Sequence, residues 1–360
     1  MLYLGDCRAS MRAMEAGSVQ TCVTSPPYYG LRDYGHDDQI GMEETPEAFV
    51  ANLVDVFREV RRVLRDDATV WLNLGDSYAT TSKGSGGPSD KQESNAGSWY
   101  EPRKFNLTNG IKPKDLLGIP WRVAFALQAD GWYLRQDIIW HKRNPMPESV
   151  TDRCTKAHEY IFLLSKSAKY FYDHEAVKED AAYAGQMRGG STNRYDTRNK
   201  RSVWTVTTKS FPGAHFATFP PKLIEPCIQA GTSERGCCPE CGSAWTRVVE
   251  KPKPPEEVYT KSSKLQQWYS ENPTKTIGWE PNCNCEGDGV GTVQDNRHGP
   301  TPCTVLDPFG GSGTTAMVAE KFGRKAIICE LNQEYANMAI KRIESEQDAK
   351  GLFLGERLGI

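Results

Sequence analysis

No apolar run in this 360-residue chain approaches the ~18 residues that a membrane-spanning helix needs. The opening residues, MLYLGDCRAS, lack the basic region and apolar stretch of a secretory leader. These two absences lead to the expectation of a cytoplasmic protein with no membrane partner. Positive charge is not in excess either: 44 Lys and Arg face 46 Asp and Glu, a formal net charge of −2. Nucleic-acid binders usually carry a basic balance, so the overall composition leans away from that class unless charge is gathered locally. It is gathered in one place, where Arg188, Arg194, Arg198, Lys200, Arg201 and Lys209 face only Asp196. A solvated loop and a phosphate-gripping segment both fit that run. An odd count of 11 cysteines in a chain without a leader argues against a disulfide framework. No internal repeat is present.

What is there is an alternation of helix and strand patterns. Residues 18–23 form a short β-prone run, and 46–65 place apolar residues at helical spacing. A strand is expected over 68–76, followed by a polar, Gly/Ser-rich loop over 77–112. Pro120 opens a helix that closes near Gly131. The runs WYLRQDIIWHK and HEYIFLLSKS read as strands, and FPPKLIEPCIQAG as a short helix. The C-terminal part reads strand, glycine loop, helix, strand, helix from Cys303 onward. Alternation of this kind implies a parallel α/β sheet.

Two stretches carry chemistry. The first, VTSPPYYGLRDYG over 23–35, interrupts an apolar run with two prolines, which fix φ and remove two backbone donors. What remains is a rigid loop offering the Ser25 hydroxyl, free carbonyls and the aromatic faces of Tyr28 and Tyr29. The second, VLDPFGGSGTTA over 305–316, lies between an expected strand and helix. Its Gly311-x-Gly313-x-x-Ala316 spacing fits a nucleotide-binding turn, with Glu330 about 20 residues further on, where a carboxylate would hold ribose hydroxyls. No Gly-Lys-Ser/Thr follows, which excludes a phosphate-cradling P-loop. A structural glycine turn, an NAD site and an adenosylmethionine site all remain open on these residues. Asp307 favours the last, because a carboxylate suits an ammonium better than a pyrophosphate.

Ser-Pro-Pro-Tyr followed by DPFGGSGTT resembles the amino-methylating DNA methyltransferases, in the permuted order of their β group. Leu4-Gly5-Asp6, HEYIFLLSKS and FPPKLIEPCI match further segments of that family. The resemblance implies a Rossmann-like, S-adenosylmethionine-dependent methyltransferase fold of the α/β class, with double-stranded DNA as partner. It assigns adenine contact to Asp6, the methionine part to Asp307 and the ribose to Glu330. Phe309, Gly310, Gly311 and Gly313 would line the pocket, and Thr314 and Thr315 would close it. Ser25 and Pro26 would accept the two N–H bonds of an exocyclic amine. That returns its delocalised lone pair to nitrogen for direct attack on the sulfonium methyl. Pro27 would stiffen the loop, and Tyr28 would stack on a base flipped from the duplex. Serine before Pro-Pro-Tyr favours cytosine N4; adenine N6 is the alternative on the same machinery. Carbon-5 methylation would require a poised cysteine nucleophile, which neither Pro226-Cys227 nor Pro302-Cys303 offers.

Cys238-x-x-Cys241 and Cys283-x-Cys285 form two close pairs across an intervening insert, the pattern of a tetrahedral structural zinc. Cys237 could substitute for its neighbour. The insert is too small and polar to bury a core, so a metal would supply much of its folding energy.

The expected organisation is a catalytic part over 1–175, a target-recognition segment over 176–215 and a return to the core over 216–231. A zinc-ribbon-like insertion over 232–302 and a cofactor-binding part over 303–360 complete it. Arg188, Arg194, Arg198, Lys200 and Arg201 are the candidate DNA contacts, and a cognate restriction endonuclease is a candidate partner. A non-catalytic zinc protein that binds nucleic acid, and an NAD dehydrogenase, are the rivals from other classes.

Overall fold

The computed structural model describes residues 1–31, 36, 38–79, 111–180, 187–188, 191–192, 197–208, 219–258, 262–285 and 299–348. The expected loop 77–112 lies mostly outside them. In chain order the first elements are β1 (Leu2–Leu4), α1 (Cys7–Arg12), β2 (Val19–Thr24), α2 (Pro46–Val63) and β3 (Leu64–Leu74). Next come α3 (Ile119–Ala129), β4 (Tyr133–His141), β5 (His158–Ser165) and the two-residue strands β6 (Glu179–Asp180), β7 (Met187–Arg188), β8 (Ser191–Thr192) and β9 (Thr197–Arg198). The series continues with β10 (Val203–Thr205), α4 (Pro221–Gly231), β11 (Thr246–Glu250), α5 (Ser262–Glu271) and β12 (Lys275–Glu280). It ends with β13 (Thr304–Asp307), α6 (Thr314–Lys321), β14 (Lys325–Glu330) and α7 (Gln333–Asp348).

The chain divides into two compact units, one of Met1–Tyr170, Ser202–Ile228 and Thr304–Ile360, the other of Phe171–Arg201 and Gln229–Cys303. The first unit is built on an eight-stranded sheet in the order β1-β14-β13-β2-β3-β5-β4-β10. Every residue of β2 is buried, as a central strand covered on both faces requires. Helix α2 begins where the Thr45 hydroxyl accepts the Ala48 N–H at 3.1 Å and Pro46 supplies a preset φ. Its apolar face buries Phe49, Leu53, Val56, Phe57, Val60 and Val63. Truncating one such buried phenylalanine to alanine would cost about 3–5 kcal/mol.

The sheet is mixed rather than wholly parallel. β5 runs antiparallel to both β3 and β4. Residues 142–157 carry no helix between β4 and β5, so the chain turns straight back instead of crossing over. The other pairs are parallel.

In the second unit, β11 and β12 form an antiparallel ribbon with an irregularity at Val248/Val249. Arg247 on that ribbon bonds Asp173 at 2.9 Å and Glu234 at 2.7 Å and lies over the Trp279 ring at 4.3 Å. Asp173 is buried, and removing one partner of such a pair costs about 3–5 kcal/mol. Residues 176–201 of the expected recognition segment fall in the same unit as the expected zinc segment, whereas 202–215 fall in the other.

Candidate active site and cysteine centre

β2 and β13 are adjacent and parallel, with Val305 opposite Thr21 and Leu306 opposite Cys22. From β2 the chain passes through α2 to β3 on one side, and from β13 through α6 to β14 on the other. Winding reverses between these two strands, so their C-terminal ends border the crevice where open α/β sheets bind ligands. The Ser-Pro-Pro loop leaves β2 at that edge, and the glycine loop leaves β13 beside it. The Thr24 hydroxyl donates to Asp307 Oδ1 at 2.6 Å, and the Thr315 hydroxyl donates to Asp307 Oδ2 at 2.6 Å. Phe309 N–H also reaches Oδ1, at 3.0 Å. Burial pushes the Asp307 carboxyl up to about 6, against the opposing pull of Thr24, Thr315 and the Phe309 N–H.

One cavity is lined by both loops. Ser25, Pro26, Pro27 and Tyr28 border it together with Asp6, Asp307, Phe309, Gly310, Gly311, Thr314 and Glu330. Glu330 Oε2 accepts the Gly311 N–H at 2.7 Å and Oε1 the Asn332 N–H at 2.9 Å. Burial raises the Glu330 carboxyl above its ordinary range, and those backbone donors offset part of the rise. Asp6 arrives by register: Leu4 pairs with Glu330, and Gly5 N–H donates to the Glu330 carbonyl at 2.8 Å. Its carboxylate caps α1 through the Ala9 N–H at 2.9 Å and pairs with Arg8 at 2.9 Å. Burial opposes its charge, but the bonds from Arg8 and Ala9 N–H hold the carboxyl below the ordinary range.

Two expected lining residues are absent from the cavity wall. Gly313 has φ +75°, and a Cβ there would meet Ala339 Cβ at 3.0 Å, so this glycine lets α7 approach. Thr315 is turned inward onto Asp307. Thr315, in the first turn of α6, and Gly313, which caps that helix, support the site from behind. Conversely, Phe219, Asn332 and Tyr335 line the cavity without having been singled out from sequence. Phe219 opens the FPPKLIEPCI stretch, which drew attention for its helical pattern and its match to the family but not for this residue. Arg342 on α7 donates to Ser312 Oγ and Thr314 Oγ1, both at 2.8 Å, bracing the glycine loop.

Tyr28 is set by residues from neighbouring strands. A Cβ on Gly75 would come within 2.5 Å of the Tyr28 ring, so only glycine leaves room for it there. The Tyr28 hydroxyl donates to Glu159 Oε2 at 2.6 Å. Gly41, at φ +110°, packs against Pro27 and the Tyr28 carbonyl.

The family model for N6/N4 methyltransferases, described as DNA methylase, matches residues 19–275 and 303–341. The chain belongs to this DNA methylase family. It is 41% identical over 345 residues to the type II methyltransferase M.Cfr9I of Citrobacter freundii, covering 96% of this chain and 88% of that protein. It is 39% identical over 342 residues to M.SmaI of Serratia marcescens, covering 95% and 90%. The solved PvuII DNA methyltransferase (cytosine-N4-specific) shares its fold at TM-score 0.55 and 16% identity, over 98% of this chain and 91% of that one.

In this DNA methylase the sulfurs of Cys238, Cys241, Cys283 and Cys285 all lie within 4.8 Å of one another. A tetrahedral zinc with four thiolates needs sulfurs about 3.8 Å apart, so a small contraction would complete the centre. Backbone N–H groups of Cys241 and Glu240 are directed at the Cys238 sulfur, as in a metal-binding knuckle. Cys237 lies outside this cluster: its thiol faces the Thr301 carbonyl at 3.5 Å, and its backbone pairs with Thr301. Among the candidate DNA contacts, Arg198 and Arg201 both bond Glu179 Oε1, at 3.0 and 2.9 Å. Lys200 is half-buried and Arg201 exposed, Arg188 ends β7, and Arg194 lies outside the described residues. Among the described residues no helix is long and apolar enough to cross a membrane.

Proposed function

We propose that this DNA methylase transfers a methyl group from S-adenosylmethionine to the exocyclic N4 of a cytosine turned out of double-stranded DNA. The observation that carries the reading is the shared cavity, with Ser25 through Tyr28 on one wall and the glycine loop on the other. Its donor set fits S-adenosylmethionine. Glu330 keeps acceptor capacity for ribose hydroxyls beyond its two backbone bonds, and Asp307 Oδ2 keeps a lone pair beyond its bond from Thr315 for an ammonium. Asp6 stands next to Glu330, on the side assigned to adenine. When bound, the cofactor supplies an electrophilic methyl on a sulfonium.

The chain's own residues do the rest. Ser25 Oγ and the Pro26 carbonyl accept hydrogen bonds from the amino group and draw its hydrogens out of the ring plane, which makes the nitrogen nucleophilic; one of its protons leaves after the attack. Pro26 and Pro27 hold those acceptors still, and orientation of this kind is worth up to about 7–11 kcal/mol of barrier. The Tyr28 face receives the base, offsetting part of the few kcal/mol that extrusion costs. Serine at position 25 is what favours cytosine over adenine. Labelled methyl transfer to unmethylated DNA, followed by chromatography of the nucleosides, tests this: 4-methyldeoxycytidine is expected, and 6-methyldeoxyadenosine would move the assignment to the adenine reading.

Around that core, Cys238, Cys241, Cys283 and Cys285 would hold a structural zinc. Arg188, Arg194, Arg198, Lys200 and Arg201 would grip phosphates or read base edges. The relatives' designation as type II methyltransferases supports a modification role beside a cognate endonuclease, acting in the cytoplasm.

A further inference from the structure

Glu159 is not part of the loop that would receive the base, yet that loop's most specific side-chain bond ends on it. Tyr28 Oη donates to Glu159 Oε2 at 2.6 Å and lies 3.3 Å from Asn73 Oδ1. Asn73 Nδ2 reaches the same Oε2 at 3.3 Å and the Tyr160 carbonyl at 3.0 Å. Lys142 bonds the other carboxylate oxygen, Oε1. The side chains of Glu159 and Lys142 are only 13% and 19% exposed. Asn73 is in β3 and Glu159 in β5, and Lys142 follows β4 directly. These are three neighbouring strands of the sheet. A half-buried carboxylate is held by pairing and hydrogen bonds, and bonds linked through one such group reinforce one another. Gly75 leaves space on one side of the ring, so the hydroxyl bond sets the angle at which Tyr28 presents its face.

We infer that Glu159 is a positioning residue, acting through the Tyr28 hydroxyl to hold the ring at the angle on which an extruded base stacks. The inference rests on the function proposed above. A competing role for the same group is simply to staple β3, β5 and β4 together. The two roles part company when the hydroxyl is removed: a positioning Glu159 then loses its route to the substrate, whereas a staple does not.

The test is a double-mutant cycle of Tyr28→Phe and Glu159→Gln in the full-length protein. It is read by single-turnover transfer of labelled methyl to unmethylated bacteriophage DNA, with calorimetry of S-adenosylmethionine binding. Each single variant is expected to slow transfer about tenfold, the size of one lost bond to a charged group. The double variant should fall no more than about twofold below Tyr28→Phe, with cofactor affinity unchanged in all three. Effects that multiply to about a hundredfold, or a Tyr28→Phe variant at the wild-type rate, overturn the inference. If Glu159→Gln does not fold, Glu159→Asp takes its place with the same expected pattern. A wild-type protein without methyl transfer to DNA fails the functional reading and takes this inference with it. A methylating wild type whose variants multiply fails this inference alone.

Discussion

Thr24 and Asp307 stand 283 positions apart in the sequence, and the Thr24 hydroxyl donates to Asp307 Oδ1 at 2.6 Å. Thr24 is the last residue of β2 and Asp307 the last of β13. The bond thus ties the base of the Ser-Pro-Pro loop to the base of the glycine loop, at the point where the winding of the sheet reverses. Thr315, from the first turn of α6, closes on the other oxygen at 2.6 Å. One carboxylate therefore sets the spacing between the wall that would hold the base and the wall that would hold the cofactor.

With Asp307 as the proposed partner of the ammonium, cofactor binding should depend on pH. Its carboxyl is raised from 3.8 to about 6, chiefly by burial. The folded state favours the protonated form, so this group's contribution to stability is complete below its ordinary value and is lost as pH rises through about 6. Binding of an ammonium needs the ionised form and runs the other way. Calorimetry should find S-adenosylmethionine affinity falling as pH drops below 6, by up to about tenfold per unit. Asp307→Asn should bind weakly with a flatter profile, leaving only the smaller slope from Glu330, which burial raises in the same direction. An unaltered profile in that variant would remove Asp307 from cofactor binding.

Ser25→Ala deletes one of the two proposed acceptors and leaves the prolines in place. Transfer of labelled methyl is expected to fall about 100-fold, the cost of losing one polar group aimed at a reacting centre. Cofactor affinity should stay at the wild-type value. Equal turnover in the variant would mean that the amine is activated elsewhere.

Gly75→Ala places a methyl group 2.5 Å from the Tyr28 ring, so the ring must shift. Overpacking of this kind costs about 1–3 kcal/mol, readable as a lower unfolding midpoint. Because the ring would form the base platform, turnover should fall further than stability alone explains, with cofactor affinity retained. A variant that melts early yet methylates normally would show that the ring position is not critical.

The four-cysteine centre predicts about one zinc per chain by elemental analysis of protein purified without added metal. Chelation should strip hydrogen-exchange protection from the β11–β12 ribbon, whose small core cannot replace the metal. Cofactor binding, whose proposed residues belong to the other unit, should persist. Cys283→Ser should reproduce the chelated state, whereas Cys237→Ser should keep its metal. Metal-free protein with a protected ribbon would refute the centre.

Much of the site is legible before folding because its chemistry is local. Two prolines after Ser25 stiffen a loop whatever surrounds it, and glycines at 311 and 313 permit positive φ wherever the turn lies. The cysteine pairs announce themselves by spacing. Helix α2 follows from its apolar period and from Thr45-Pro46. The antiparallel direction of β5 is another matter, since an apolar strand reads the same in either sense. So are Gly75 and Glu159, which show in the sequence only as a glycine after an apolar strand and an acid near the start of one.

By itself, then, the sequence determined which loops are rigid, which residues can accept or ligate, and in what order they occur. The tertiary structure alone decided that the ends of β2 and β13 lie side by side, that Thr315 and Gly313 face inward, and that Tyr28 is anchored on β5. Those are contacts between residues far apart along the chain. They depend on strand order and direction in the sheet, and no local period or propensity encodes either.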